Sequence, residues 1–264
     1  MASQLVKPYF PPRKDQAPTI SLKYFGPFVK HLVIGSPHLE RDSVINFLEA
    51  CHNVSNLALW THIPTREFLP AFEALSLDKL STSLAGLSFE DLKNSAFSNI
   101  THLDISPGFD TGTHDGWPEW RAFSQFTFLT HLAINDITGN FDEIIHNLLR
   151  DCQRLQILLI VEVMNSKLDL HNVPFSDPRL ILMKIKRYTV EDWVEGANGN
   201  EDIWQCAEEI SRAKQGNLLR YLNTSSHLRS ILDGFFRNID PRIWFTRYGY
   251  RDELYKRCGY PKRS

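Results

Sequence analysis

The chain has 264 residues, 42% hydrophobic and 23% charged, which is ordinary for a globular protein and enough for one large domain. A formal net charge of -2 gives no molecule-wide basic surface of the kind that binds nucleic acid or membranes. The longest apolar run, residues 157–161, is too short to span a bilayer. The N-terminus lacks the apolar core of a secretory signal, so we expect an intracellular protein, cytoplasmic or nuclear.

Residues 1–26 are rich in proline and mixed in charge. This composition is typical of an extended lead-in segment. Its apolar end, together with the residues that complete KYFGPF, is expected to cap the open core edge of the domain that follows.

A six-residue pattern, apolar-x-x-apolar-x-apolar, dominates the middle of the chain. Copies begin at residues 29, 54, 72, 100, 129, 155 and 180, and the clearest are ITHLDIS (100–106) and LTHLAIN (129–135). Phrase and spacing are similar to those of leucine-rich repeats, whose period is about 20–29 residues. We therefore predict an α/β leucine-rich-repeat-like solenoid over residues 27–216, with about seven parallel strands and convex-side helices. A non-repetitive α/β domain is the alternative.

Amphipathic segments between the copies predict the helices. Apolar residues recur at helical spacing in residues 41–52 and again in 140–152, with a shorter helix expected within 81–97. A further helix, at about residues 202–214, is expected to close the array.

Residues 217–264 form a different region, which we predict to be a basic, aromatic, helical C-terminal extension. From residue 218 it holds ten Lys and Arg against four Asp and Glu, a net charge of +6, which leaves -8 for the rest of the chain. This segregation of charge favours a tail that packs back on the acidic body.

The four cysteines show neither a C-x-x-C pair nor a zinc-binding spacing. Cys51 and Cys152 each precede the first apolar residue of a copy by three residues, which indicates equivalent buried packing positions. We expect free, buried thiols and no disulfide.

Alternation along each strand places the third and fifth residues of a copy on the concave face. The central strands then carry a polar patch, the last strands carry an apolar one, and a tryptophan stands alone near the start. A large exposed apolar patch needs a cover, either the C-terminal tail or a partner protein. The tentative partner-binding residues are Trp60, His102, Asp104, His131, Ile157, Leu159, Val161 and Leu182.

The polar patch has a second reading. Adjacent strands lie about 4.8 Å apart, so His102, His131 and Asp104 could converge as a two-histidine, one-carboxylate metal set, or one histidine could act as a general base. Histidine also occupies the third position of the first copy, at His31. This recurrence favours histidine as an ordinary residue of the repeat on a solvated strand, without a metal or catalytic role.

Residues 25 to about 215 resemble the leucine-rich-repeat region of fungal F-box-type proteins. FGPFVKHLVIG, ITHLDIS, FLTHLAIN and CQRLQILLI carry the resemblance. It implies a substrate receptor whose repeats hold a target while an F-box docks on a ubiquitin-ligase adaptor. Nothing in residues 1–26 resembles an F-box, so only the repeat half of this inference carries over.

The sequence therefore predicts a non-enzymatic protein-interaction module with an unknown protein ligand on its concave face. Phosphate-loop, nucleophile-elbow, zinc-helix and dinucleotide motifs are absent, and no cofactor is expected. Two alternatives remain: a metal protein or enzyme using His102, Asp104 and His131, and a nucleic-acid binder using the basic tail.

Overall fold

A computed structural model describes residues 22–36, 38–84, 87–106, 118–135, 142–163, 176–185, 190–200, 202–215 and 245–246. Its centre is one sheet of eight strands in sequential order, every neighbouring pair parallel. The strands are β1 (His31–Ile34), β2 (Asn56–Leu59), β3 (Lys79–Ser83), β4 (His102–Ser106), β5 (His131–Asn135), β6 (Ile157–Val163), β7 (Leu180–Ile185) and β8 (Phe245–Thr246). The prediction of an α/β fold with a parallel sheet is confirmed.

The helices are α1 (Leu22–Phe25), α2 (Arg41–Ala50), α3 (Leu69–Glu73), α4 (Asp142–Asp151), α5 (Val190–Ala197) and α6 (Ile203–Gln215). Short 3-10 turns fill the other connections, including Asp91–Lys93 and Ser95–Phe97 where we predicted one short helix. The predicted helices at 41–52, 140–152 and 202–214 are confirmed as α2, α4 and α6. Of the C-terminal extension, only β8 lies within the described residues.

The main core lies on one side of the sheet, which we call the outer face. There the leucine row Leu57, Leu103 and Leu132 is fully buried against side chains of the connecting helices and turns, such as Val44 of α2 and Ile145 of α4. Burying a side chain of this size stabilises the fold by about 1.5–3 kcal/mol. The opposite side of the sheet, the inner face, carries His102 and His131.

The third copy of the six-residue pattern was assigned to the wrong register. We expected a strand on Phe72, Leu75 and Leu77, but Phe72 lies in α3 and the strand β3 begins at Lys79. In the sheet, Leu80 pairs with Leu57 and Leu103, so Leu77 takes the first position of this copy. The error arose because the true strand, KLSTS, is polar, while the preceding helix is rich in apolar residues.

The seventh copy was also wrong, by three residues. Leu180 pairs with Leu158 and therefore occupies the fourth position of the pattern, not the first. The fold uses the phrase with Leu180 and Leu182 in its fourth and sixth positions, whose first position is the charged residue Asp177 and therefore breaks the apolar pattern. We expected Lys184 on the concave face, at the fifth position of this copy. In the sheet its backbone register partner is Glu162.

Candidate functional site

Helix α6 lies on the inner face of the sheet and covers its apolar end. Ile203, Trp204, Cys206 and Ala207 form a second buried cluster with residues of β6 and β7. Ile157, Leu159 and Val161 lie beneath this helix and are at most 2% exposed. Their assignment as an open partner-binding surface is therefore wrong, because the chain's own helix already occupies it.

Leu182 is not part of that surface either. It belongs to the outer-face core together with Leu180, whereas Ile181 and Met183 face α6. The three-residue register error in the last copy placed Leu182 on the wrong side, because alternate strand residues point to opposite faces.

Two histidines lie side by side at the start of β4 and β5. His102 and His131 are register partners, and their rings stack with centroids 4.2 Å apart and planes inclined by only 9°. Trp204 of α6 meets both rings edge-on, at 5.3 Å from His102 and 5.7 Å from His131. The sequence placed the two histidines at equivalent positions of neighbouring strands, and they are register partners in the sheet.

A threonine before each histidine fixes the ring. The hydroxyl of Thr101 lies 2.5 Å from the Asp78 carboxylate and 2.8 Å from Nδ1 of His102. A hydroxyl has one hydrogen and a carboxylate only accepts, so Thr101 donates to Asp78 and accepts from Nδ1–H of His102. His131 has the same arrangement: Thr130 lies 2.8 Å from its Nδ1 and donates to the Thr101 carbonyl at 3.2 Å. For a neutral His102 this leaves the lone pair on Nε2, and Thr130 permits the same tautomer of His131.

A carboxylate from α6 completes the cluster. Oε1 of Glu208 lies 3.3 Å from Nε2 of His131. That nitrogen is buried and has no aligned hydrogen-bond partner among the described residues. One potential ligand atom from each of His102, His131 and Glu208 lies within 4.8 Å of the other two. Imidazole nitrogens and a carboxylate oxygen are the donor types that zinc and related divalent metals bind in proteins.

Burial determines the charge of both rings. Desolvation, with the nearby charges of His131 and Lys79, lowers the pKa of His102 to about 2. Desolvation also lowers the pKa of His131, although the neighbouring Glu208 carboxylate opposes that shift. Neutral imidazole, the form that can coordinate a metal, is thus favoured at both positions.

Asp104 does not join the two histidines. Its carboxylate is 1% exposed and accepts hydrogen bonds from Ser81 Oγ, at 2.6 Å, and from Asn135 Nδ2. The indole Nε1 of Trp60 donates in turn to Ser81 Oγ at 2.8 Å. The structure thus places Trp60 and Asp104 in one polar network on β2–β5, and Glu208 replaces Asp104 in the predicted three-residue cluster.

The first three strands present polar, half-exposed side chains on the inner face. His31, Asn56 and Lys79 are register partners in one row, and the Asn56 amide lies 2.9 Å from Nδ1 of His31. Burial, together with the charge of Lys79, lowers the pKa of His31. These three side chains are half-exposed, and α5 contacts β1 at one end of the row.

Sequence reasoning missed Glu208, Trp204, Lys79 and Ser81. Trp204 and Glu208 are four residues apart and share one face of a predicted helix, so the helical pattern could have paired them. It could not have shown which surface that face meets. Lys79 and Ser81 were missed because the third copy was placed five residues too early.

Comparison with known proteins adds no relative. No protein-family model matches the chain, and no curated protein is significantly similar to it in sequence. Among the described helices, none is long and apolar enough to cross a membrane.

Proposed function

We propose that this chain is a leucine-rich-repeat-type scaffold that binds a protein ligand without catalysing a reaction. The observation that carries the proposal is the row of half-exposed polar side chains on β1–β3. It runs across neighbouring strands of a sheet in which each repeat contributes one strand. Stacked repeats of this kind present extended surfaces suited to macromolecular ligands.

Spacing supports the repeat assignment. The row of register-paired leucines consists of Leu32, Leu57, Leu80, Leu103, Leu132, Leu158 and Leu180, in steps of 22 to 29 residues. Every step falls within the period of about 20–29 residues that leucine-rich repeats have. Short helices and 3-10 turns between the strands match the compact outer side of such repeats.

Chemistry of the row indicates the kind of ligand. Asn56 donates to Nδ1 of His31, so the second ring nitrogen of a neutral His31 is a donor. Lys79 adds a positive charge, and the half-buried Trp60 lies beyond the row at the end of β2. Donors, one cation and an aromatic ring fit a protein segment that carries carboxylates and exposed carbonyl groups.

Photo-crosslinking from single positions tests the proposal. A benzophenone amino acid at Asn56 is expected to trap a discrete protein in an extract of the source cells, and the added substitution Lys79→Glu is expected to abolish the adduct. The matched control position is Glu49, which is exposed on α2 on the other side of the sheet. Equal adducts from both positions, or none from Asn56, would contradict a ligand on the inner face.

The resemblance to F-box-type receptors extends this proposal to a substrate receptor for a ubiquitin ligase. The repeats would then hold the target, and contact with an adaptor would have to come from elsewhere. The nucleic-acid alternative depends on residues 217–264, of which only Phe245–Thr246 are described.

A further inference from the structure

We propose that His102, His131 and Glu208 form a binding site for one divalent zinc-type metal ion, which fastens α6 to the inner face of the sheet. The sequence-level hypothesis used Asp104 as the carboxylate. The structure assigns that role to Glu208 and so makes the site a bridge between β4, β5 and α6.

The contact between His131 and Glu208 is the strongest argument. When Thr130 accepts from Nδ1–H of a neutral His131, the lone pair of Nε2 faces a Glu208 carboxylate oxygen 3.3 Å away. In that tautomer the buried His131 nitrogen and the half-exposed Glu208 carboxylate are two facing acceptors, which repel unless a positive charge lies between them. A metal ion supplies that charge.

The separation itself fits coordination. Ligand atoms at about 2.0–2.2 Å from a tetrahedral zinc ion lie about 3.3–3.5 Å from one another. The 3.3 Å distance between His131 Nε2 and Glu208 Oε1 has this value. The third donor, on His102, lies within 4.8 Å of both, so its half-exposed ring has to turn toward the ion by roughly 1–2 Å.

Surrounding groups support the histidine ligands. Each Nδ1 lies 2.8 Å from a threonine hydroxyl, and Thr101 donates a hydrogen bond to Asp78. Hydrogen bonds of this type to the far nitrogen orient metal-binding imidazoles and raise their basicity. Trp204 closes one side of both rings. Three protein ligands leave one coordination position for water.

One alternative accounts for the same contact. A hydrogen on Nε2 of His131, in the other neutral tautomer or in the cation, would donate to the half-exposed Glu208 carboxylate without any metal. Binding measurements on the chelator-treated full chain separate these possibilities, using Zn²⁺ in competition with a chromophoric chelator and Co²⁺ as a spectroscopic probe.

We expect one equivalent of Zn²⁺ to bind, and Co²⁺ to give visible absorption bands of a nitrogen- and oxygen-ligated site. Glu208→Gln and His102→Gln are expected to weaken binding at least tenfold, because loss of even outer-shell partners costs about 10–100-fold. The matched control His31→Gln removes a histidine of the same strand position on β1 and should bind like the wild type.

Absence of stoichiometric binding by the wild type would overturn the metal site and favour a hydrogen bond from Nε2–H of His131 to Glu208. Equal affinities of wild type and Glu208→Gln would overturn it as well. Circular dichroism of the metal-free variants checks folding, and His102→Gln provides a second variant at a half-exposed position. The outcome does not depend on whether a protein ligand binds to β1–β3.

Discussion

Trp204 of α6 stands edge-on to His131 of β5, with ring centroids 5.7 Å apart and ring planes at 87°. This contact anchors a helix across strands from which it is distant in sequence. Since Trp204 is only 5% exposed, Trp204→Ala should lower the free energy of unfolding by about 3–5 kcal/mol. Urea unfolding followed by circular dichroism measures the change.

The control for that variant is Tyr24→Ala, because Tyr24 is 76% exposed. Its effect should stay within about 0.5 kcal/mol, as for most surface substitutions. Similar small effects at both positions would show that α6 does not pack on the sheet.

Asp202 caps the N-terminus of α6. Its Oδ1 accepts hydrogen bonds from the backbone N–H groups of Trp204, at 3.0 Å, and Gln205, at 2.9 Å. Asp202→Ala should therefore cost about 1 kcal/mol of unfolding free energy, whereas Asp202→Asn keeps the acceptor and should cost much less. Equal losses in the two variants, measured by thermal unfolding, would argue against a capping role.

Asp104 holds the polar network of the inner face together. Asp104→Ala leaves the Ser81 hydroxyl and the Asn135 amide without their acceptor in a buried place. An unsatisfied buried polar group costs about 1–3 kcal/mol, and we expect a loss of roughly 2–3 kcal/mol in denaturant unfolding. Ser98→Ala, on an exposed turn, is the control; a loss no larger than in this control would remove the network as a stabilising feature.

Cys152 is expected to be chemically inert in the folded protein. Burial raises the pKa of its thiol from 9.0 to about 11, and only the thiolate reacts with alkylating agents. The raised pKa means that the folded state binds the proton more tightly, so this contribution to stability is present below pH 9 and lost as the pH rises toward 11.

Alkylation mapped by peptide mass spectrometry checks this. Cys152 should react slowly at pH 8 in the native protein and rapidly in urea, and Cys51 and Cys206, which are also buried thiols, should behave alike. Fast native labelling of Cys152 at pH 8 is the result that contradicts its burial.

Lys79 is expected to weaken the proposed metal site. Its positive charge lies close enough to lower the pKa of His102, and it opposes any cation bound there. Lys79→Met should therefore tighten Zn²⁺ binding by about fivefold at low salt. Lys93→Met, which removes a lysine paired with Glu90, serves as the control and should leave the affinity unchanged.

Local patterns predicted much of the fold. The copies beginning at residues 29, 54, 100, 129 and 155 became β1, β2, β4, β5 and β6, because apolar alternation sets strand and face together. The registers predicted for the third and seventh copies were wrong, because apolar alternation does not identify these two strands. The polar strand β3 is recognisable only from its neighbours in the sheet. On β7, only the pairing with β6 shows that Leu180 takes the fourth position of the pattern.

The free, buried state of Cys51 and Cys152 was predicted and is confirmed. Their equivalent positions in two copies of the pattern were sufficient for that. The placement of His102 and His131 on neighbouring strands of one face was also predicted, because parallel strands in matching register bring equivalent residues to neighbouring positions.

The sequence by itself determined five of the strands, the helices α2, α4 and α6, and the neighbouring positions of the two histidines. Only the tertiary structure decided what lies against the inner face. An amphipathic pattern shows which side of α6 is apolar, but the surface that it meets is set by long-range packing, since any apolar patch could accept it. That choice buried Ile157 and Leu159 and brought Glu208 to His131.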